Sequence, residues 1–153
     1  DQEHGAAVEE TAVAAWRQVA DAWALNTPAD EEVLRWACRL HEIGLTISHS
    51  QYHKHGAYLL RYSDLPGFTQ QFQRDLATLV RGHRRKFASA IFEGLDPEDI
   101  ARLRYLCVLV RLAVLIQHPR NMEPPPAFLI SGMAAFVPRK VPFAFTPITK
   151  SQS

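Results

Sequence analysis

The apolar stretch that follows Asp96-Pro97 constrains the fold of this chain more than any other segment. An acid followed by proline is a typical helix start, in which the acid caps the helix and the proline takes its first position. Apolar residues then recur on most sides of the predicted helix as far as His118: Ile100, Leu103, Leu106, Val110 and Val114. A helix that is apolar all round is normally the buried centre of a bundle. The segment therefore predicts an all-α protein built around it.

Four amphipathic segments precede this central helix, with apolar residues at three- to four-residue spacing. The first predicted helix covers about 7–25, and the second begins at a capping Asp30 and ends at Gly44. The third covers about 50–62, and the fourth begins at Thr69 and continues to His83. Residues 1–120 are thus predicted to form a bundle of about five helices.

The last part of the chain, residues 121–153, has a different character. It contains three consecutive prolines at 124–126 and further prolines at 138 and 142, which exclude a regular helix and argue against a central strand. We predict a short, irregular or β-type, proline-rich tail with one possible strand at 128–130.

Composition places few limits on the partners. The 153 residues are 47% hydrophobic, which is enough for one domain with a core. The formal net charge of +1 gives no bulk argument for a nucleic-acid or membrane partner, and no apolar run approaches the ~20 residues of a membrane span. Cys38 and Cys107 lie in apolar helical patterns, which predicts buried thiols and a cytoplasmic location. Because the chain begins at Asp1 rather than Met, we expect a piece of a longer protein.

Four histidines lie on the inward stripes of different predicted helices, which is the arrangement that a metal site in a helical bundle requires. The pair His41-Glu42, at the end of an apolar helix, is similar to the His-Asp pair of the HD superfamily of metal-dependent phosphohydrolases. In that pattern a carboxylate on the central helix is also needed, and Val114 stands in its place. The resemblance implies that the bundle of residues 1–120 is HD-domain-like, with a degenerate HD motif that consists of His4, His41, Glu42, His83 and Val114.

A valine cannot ligate a cation, so the sequence predicts neither a catalytic residue nor a metal in this domain. His41 and His83 are then hydrogen-bonded polar groups at the edge of the core, and Glu42 pairs with Arg39 or with a histidine of the third helix. The alternative is a working metal-dependent HD phosphohydrolase that acts on a nucleotide.

A basic run at 81–86 is the strongest charge feature of the chain. Its cations exceed what the dipole at a helix end explains. With the basic residues of the third helix they could line one positive groove that holds a polyanion through phosphate contacts, although a merely solvated charged face has the same pattern. The predicted polyanion-binding residues are His49, His53, Lys54, His55, Arg81, His83, Arg84, Arg85 and Lys86, with Arg61 beside them.

Several segments in combination resemble the helical C-terminal domain of the exopolyphosphatase / guanosine pentaphosphate phosphohydrolase family. They are LRWACRLHEIGL at 34–45, HKHGAYLL at 53–60, DLPGF at 64–68 and LATLV at 76–80. The resemblance extends to about residue 128, after which the chain departs from the family pattern. The retained basic run at 83–86 favours an exopolyphosphatase over its guanosine pentaphosphatase relative.

The resemblance implies that the intact protein removes the terminal phosphate of inorganic polyphosphate at a Mg²⁺-dependent N-terminal module. The helical domain would bind and guide polyphosphate, contact its own N-terminal catalytic module and support a homodimer, without a cofactor or catalytic centre of its own. It would bind neither membranes nor specific nucleic acids. A second alternative is a pure dimerisation module.

Overall fold

The apolar segment after Asp96 forms the longest helix of the structure, and other helices pack against it. The computed structural model describes residues 1–118, and in that range it contains helices and turns without strands. The helices are α1 (Gln2–Val19), α2 (Pro28–Leu40), α3 (Tyr52–Tyr62), α4 (Gln70–Gly82) and α5 (Pro97–Ile116). Two short 3₁₀ turns, Ile43–Thr46 and Ser89–Phe92, lie after α2 and after α4. The all-α prediction is confirmed.

Helix α5 packs through one face rather than on all sides, which differs from the prediction of a fully buried helix: Ile100 and Val114 are half-buried and Leu115 is 67% exposed. It contacts α1, α2 and α4, and its leucines at 103, 106 and 109 are fully buried. The Trp23 and Tyr105 rings stack beside them with their centroids 4.6 Å apart. Helix α3 packs mainly against α4 and against the first 3₁₀ turn. Helices α3 and α4 therefore form a pair, which contacts α5 through α4.

Two predicted helix starts are wrong for the same reason, which is that a capping side chain lies earlier in the sequence. Asp1 accepts hydrogen bonds from the amides of Glu3 and His4, so α1 begins at Gln2 rather than near residue 7. Thr27, not Asp30, caps α2, because its hydroxyl accepts from the Asp30 amide at 3.2 Å and Pro28 takes the first helical position. Helix α1 also ends at Val19 rather than Leu25.

Asp30 instead takes part in a buried ion cluster that joins three helices. The Arg102 guanidinium of α5 donates to Asp30 of α2 at 2.8 Å and to Asp75 of α4 at 2.5 Å. Asp30 is 1% exposed and Asp75 is 7% exposed. Burial raises the pKa of Asp75 although Arg102 opposes the rise. The cluster fixes the relative positions of α2, α4 and α5.

Gly44 does not end α2, which stops at Leu40. It lies in the first 3₁₀ turn, where the backbone comes very close to α3. A Cβ atom at Gly44 would be 1.8 Å from the Tyr52 carbonyl oxygen and 2.7 Å from the Gly56 amide nitrogen. Only glycine permits this approach, which places the end of α2 against α3.

Other predictions have mixed outcomes. Cys38 and Cys107 are buried and unpaired, as expected, and burial raises the pKa of both thiols. None of the described helices is long and apolar enough to cross a membrane. The predicted tail at 121–153, its strand at 128–130 and the domain boundary near 120 lie outside the described residues and stay predictions.

Candidate functional site: an imidazole cluster and a basic cleft

Histidines from four helical segments converge in the interior. The His41 ring lies 5.5 Å from that of His4 and 5.2 Å from that of His83, measured between centroids. His53 of α3 is 6.5 Å from His83 on the far side. We call His4, His41, His53 and His83 the imidazole cluster. The histidines that helical periodicity places on inward faces of different helices therefore lie close together.

Two members of the imidazole cluster have a fixed tautomer. The Nδ1 of His41 lies 2.6 Å from the Cys38 carbonyl oxygen, and the Nδ1 of His83 lies 2.5 Å from that of Val80. A carbonyl oxygen can only accept, so each Nδ1 carries a proton and donates it, and in the neutral ring each Nε2 keeps a lone pair. Both Nε2 atoms are buried and have no hydrogen-bond partner among residues 1–118. The expected hydrogen-bonded histidines are thus satisfied on one nitrogen only.

Burial keeps the rings of His41, His53 and His83 neutral. It lowers the pKa of His83 to about 3 and that of His53 to about 4, and it lowers the pKa of His41 as well. For His53 the charges of Arg84, Lys54, Arg85 and Arg81 act in the same direction. The lowered pKa of His53 therefore reflects a positive electrostatic potential near α3 and α4. His53 adds no charge of its own near neutral pH.

Glu42 does not pair with Arg39, in contrast to the prediction. Arg39 and Arg35 instead bind the buried Glu9 of α1, whose pKa they hold below its usual value against the effect of burial. The Glu42 carboxylate lies 3.7 Å from Nε2 of His4 and 3.8 Å from Nε2 of His41. It also does not contact a histidine of α3 at ion-pair distance. Glu42 thus lies beside two members of the imidazole cluster, His4 and His41.

Val114 is half-buried and packs against the hydrophobic core. The position predicted for the HD carboxylate on α5 thus carries an apolar side chain at the edge of the core. Within residues 1–118, the group that could hold a metal ion consists of His4, His41 and Glu42, with one ligand atom each, all within 4.8 Å of one another.

A groove with positively charged walls lies between α3, α4 and the second 3₁₀ turn. It consists of two adjoining cavities of about 590 Å³ and about 550 Å³, which share Lys54, Arg81 and Ile91 in their walls. We call this groove the basic cleft, and its cationic lining is Lys54, Arg61, Arg74, Arg81, Arg85 and Lys86. His53 also lines it, and Glu93 is the acidic residue in its wall. The structure thus brings α3 and α4 cations together, as predicted.

Four predicted polyanion-binding residues lie apart from this lining. His83 is 3% exposed and belongs to the interior. Arg84 stacks on the Tyr52 ring, with its guanidinium carbon 4.3 Å from the ring centroid. His49 is exposed in the loop before α3, and His55 is half-buried on α3, and neither lines the basic cleft.

Sequence reasoning missed Arg74, although a signal for it exists. Arg74 and Arg81 are seven residues apart on α4, and Lys54 and Arg61 are seven residues apart on α3. Seven residues are close to two helical turns, so each pair lies on one side of its helix. Because α3 and α4 pack together, the two pairs face the same cleft. The spacing of the cations, rather than their density in the sequence, identifies the lining.

The fold and the site define a class of all-α domain with a His-Glu pair at the end of its second helix, and comparison with known proteins shows its family. Residues 1–131 match the family model described as "Ppx/GppA phosphatase, domain III", so the chain belongs to this family as one of its C-terminal helical domains. Among curated relatives, a guanosine-5'-triphosphate,3'-diphosphate pyrophosphatase of Pseudoalteromonas translucida is 30% identical over 131 residues. That match covers 86% of this chain and 26% of the relative.

Two further relatives carry the same name. The Vibrio cholerae protein is 39% identical over 110 residues, which is 68% of this chain and 21% of the relative. The Aeromonas hydrophila protein is 32% identical over 132 residues, which is 86% of this chain and 27% of the relative. The chain therefore spans about a quarter of the length of these relatives.

Proposed function

We propose that this phosphatase-family domain holds an inorganic polyphosphate chain in the basic cleft and guides it to a catalytic module of the same protein. The observation that supports this is the concentration of six cationic side chains around one groove, in a chain with a formal net charge of only +1. Lysine and arginine side chains bind phosphate oxygens through charge-assisted hydrogen bonds. The domain itself has no catalytic role in this proposal.

The shape of the cleft supports an extended ligand. Seven residues of α-helix span about 10.5 Å, so the pairs Lys54/Arg61 and Arg74/Arg81 each offer two charges about that far apart. The cleft continues past Arg81 to Arg85 and Lys86. A linear series of phosphates can contact charges distributed in this way simultaneously, whereas a single phosphate group cannot.

A second candidate ligand is a guanosine polyphosphate, and one structural observation favours it. Tyr58 and Tyr62 line the same cleft, are 65% and 69% exposed, and lie with their ring centroids 4.9 Å apart. Exposed aromatic rings beside cations are suited to stack a nucleobase whose phosphates bind the cations. The names of the relatives point to the same class of compound.

Binding measurements with a double variant test the proposal. Two exposed ion pairs contribute about 0.7 kcal/mol each, so Lys54→Ala/Arg81→Ala should weaken binding of long-chain polyphosphate by about tenfold. The dependence of the affinity on salt concentration should also become shallower. Arg17→Ala is the matched control, because Arg17 is an exposed cation of α1 that lines a different cavity together with Glu9 and Glu10. Equal affinity of the double variant and the control for polyphosphate would refute the proposed cleft.

The ligand is decided by titrating the same proteins with polyphosphate and with guanosine 5'-triphosphate 3'-diphosphate. Replacing Tyr58 and Tyr62 by alanine should leave polyphosphate binding unchanged, because a polyphosphate chain has no base to stack. A selective loss of guanosine polyphosphate binding in that variant would establish the second candidate instead.

The proposal includes a homodimer, contact with the protein's own N-terminal module and a cytoplasmic location. Mg²⁺ belongs, by the resemblance, to that module and not to this domain. Light scattering of the chain, combined with the polyphosphate titration, tests the oligomeric part. A dimer without affinity for either polyanion would favour a pure dimerisation module.

A further inference from the structure

The Nε2 atom of His41 is a buried hydrogen-bond acceptor that has no donor in the described part of the chain. His41 is 1% exposed, its Nδ1 donates to the Cys38 carbonyl, and its Nε2 has no hydrogen-bond partner in the described part of the chain. Buried polar atoms in native proteins are nearly always satisfied, and those that are not call for a cause. In metalloproteins a histidine with its Nδ1–H bound to a backbone carbonyl is oriented to ligate a metal through Nε2.

Two other potential ligands lie next to this nitrogen. The Glu42 carboxylate is 3.8 Å from Nε2 of His41 and 3.7 Å from Nε2 of His4. Two ligands that bind one zinc ion at about 2.1 Å in tetrahedral geometry are about 3.4 Å apart. The two distances to Glu42 exceed that value by a few tenths of an ångström, and the three ligand atoms lie within 4.8 Å of one another, so rotations of the half-buried His4 and Glu42 side chains bring them to bonding distance of one ion.

We propose that His4, His41 and Glu42 bind a single transition-metal dication of the Zn²⁺ class. Two imidazole nitrogens and one carboxylate suit first-row transition metals, whereas Mg²⁺ prefers oxygen ligands alone. An anion is not suited to this position, because a neutral imidazole with a protonated Nδ1, as in His41, directs a lone pair, not a proton, towards it. The proposed ion is independent of the polyanion binding proposed for the basic cleft.

A single metal ion can be bound without a carboxylate at position 114 of α5, where the chain has valine. The sequence prediction of no metal followed from the missing carboxylate, which a dinuclear hydrolytic centre needs as a bridging ligand. A mononuclear site has no bridging ligand, so its ligand set is complete with a water molecule in the remaining position.

The proposed role of the ion is structural. His4 lies in the first turn of α1, His41 follows the last residue of α2, and Glu42 precedes the first 3₁₀ turn. One ion would therefore join the beginning of α1 to the end of α2 and satisfy the orphan Nε2 of His41. Binding of the ion to the folded protein alone would raise its stability.

The test is metal binding by the purified 153-residue chain, followed by calorimetry and thermal unfolding. After removal of metal with a chelator, Zn²⁺ should bind with a stoichiometry of one. At a free Zn²⁺ concentration about 100 times Kd, Tm should rise by roughly 5 to 10 °C. Co²⁺ should bind at the same site and give the visible absorption bands of a tetrahedral ion, and Mg²⁺ should not compete.

Two conservative variants localise the site. Glu42→Gln and His4→Asn should each reduce Zn²⁺ affinity at least tenfold, while their metal-free far-UV circular dichroism and Tm stay close to those of the parent chain. His49→Asn is the matched control, because His49 is an exposed histidine of the loop before α3 and lies outside the trio. The proposal is overturned if the parent chain binds no Zn²⁺, or if the Glu42 and His4 variants bind it as tightly as the control.

Discussion

Replacing Gly44 by alanine should disrupt the junction that places the His41-Glu42 pair. The new Cβ would lie 1.8 Å from the Tyr52 carbonyl oxygen, whereas non-bonded heavy atoms are normally about 3.4 Å or more apart. The turn and α3 would have to separate by about 1.5 Å. Because both contacting partners, the Tyr52 carbonyl and the Gly56 amide, are backbone, no side-chain rotation can relieve the clash. Overpacking costs about 1–3 kcal/mol where side chains can adjust, so we expect about 3 kcal/mol or more here.

Thermal and urea unfolding of the metal-free chain measure this cost. A loss of about 3 kcal/mol lowers Tm by about 10 °C for a domain of this size. Gly67→Ala is the control, because Gly67 has a φ of +91° and a Cβ added there would meet no heavy atom of the described residues within 4 Å. It should cost only about 1 kcal/mol, from backbone strain. If the Gly44 variant were no less stable than the Gly67 variant, the close approach of the turn to α3 would not exist as described.

Three further predictions concern the buried polar groups. Arg102→Met should cost about 3–5 kcal/mol in urea unfolding, because Asp30 and Asp75 would stay buried without their cation, whereas Arg74→Met on the surface should cost less than about 1 kcal/mol. Metal-free stability should be highest above about pH 6.5 and fall by a few kcal/mol as the pH drops towards 3, since the unfolded chain takes up protons at His53 and His83 that the folded chain excludes. A His83→Asn variant, whose amide can still donate to the Val80 carbonyl, should lose less stability over that range, and an unchanged profile would contradict the lowered pKa of His83.

The parts of the fold that the sequence predicts correctly are those set by local periodicity. The existence of the five helices and the inward position of the histidines depend on spacing along one helix, which is visible in the sequence. The helix starts are less predictable, because several residues near a start can act as the cap. Asp30 has a capping residue type, yet Thr27 precedes a proline and takes that role, which leaves Asp30 to bind Arg102 from α5.

The lining of the basic cleft shows why a cluster of charges in the sequence is a poor guide to a cluster in space. Helix α4 ends at Gly82, and Arg85 has a φ of 67°, so the chain changes direction within the basic run. Arg81 and Arg85 line the cleft, while Arg84 between them stacks on Tyr52. Arg74, two turns before Arg81 and outside the run, lines the cleft because it shares a helix face with Arg81. Contacts between distant segments, such as Glu9 with Arg39, are likewise invisible to periodicity.

The two candidate sites have opposite chemistry, and the rings of His53 and His83 lie between them. His53 lines the basic cleft and is also adjacent to His83 within the imidazole cluster. On the cleft side, cations provide a positive potential that, together with burial, lowers the pKa of His53 to about 4 and attracts phosphate. On the opposite side of the cluster, the His41 lone pair and the Glu42 carboxylate attract a cation. Under the two proposals, the neutral rings of His53 and His83 lie between the anion in the basic cleft and the metal ion at Glu42.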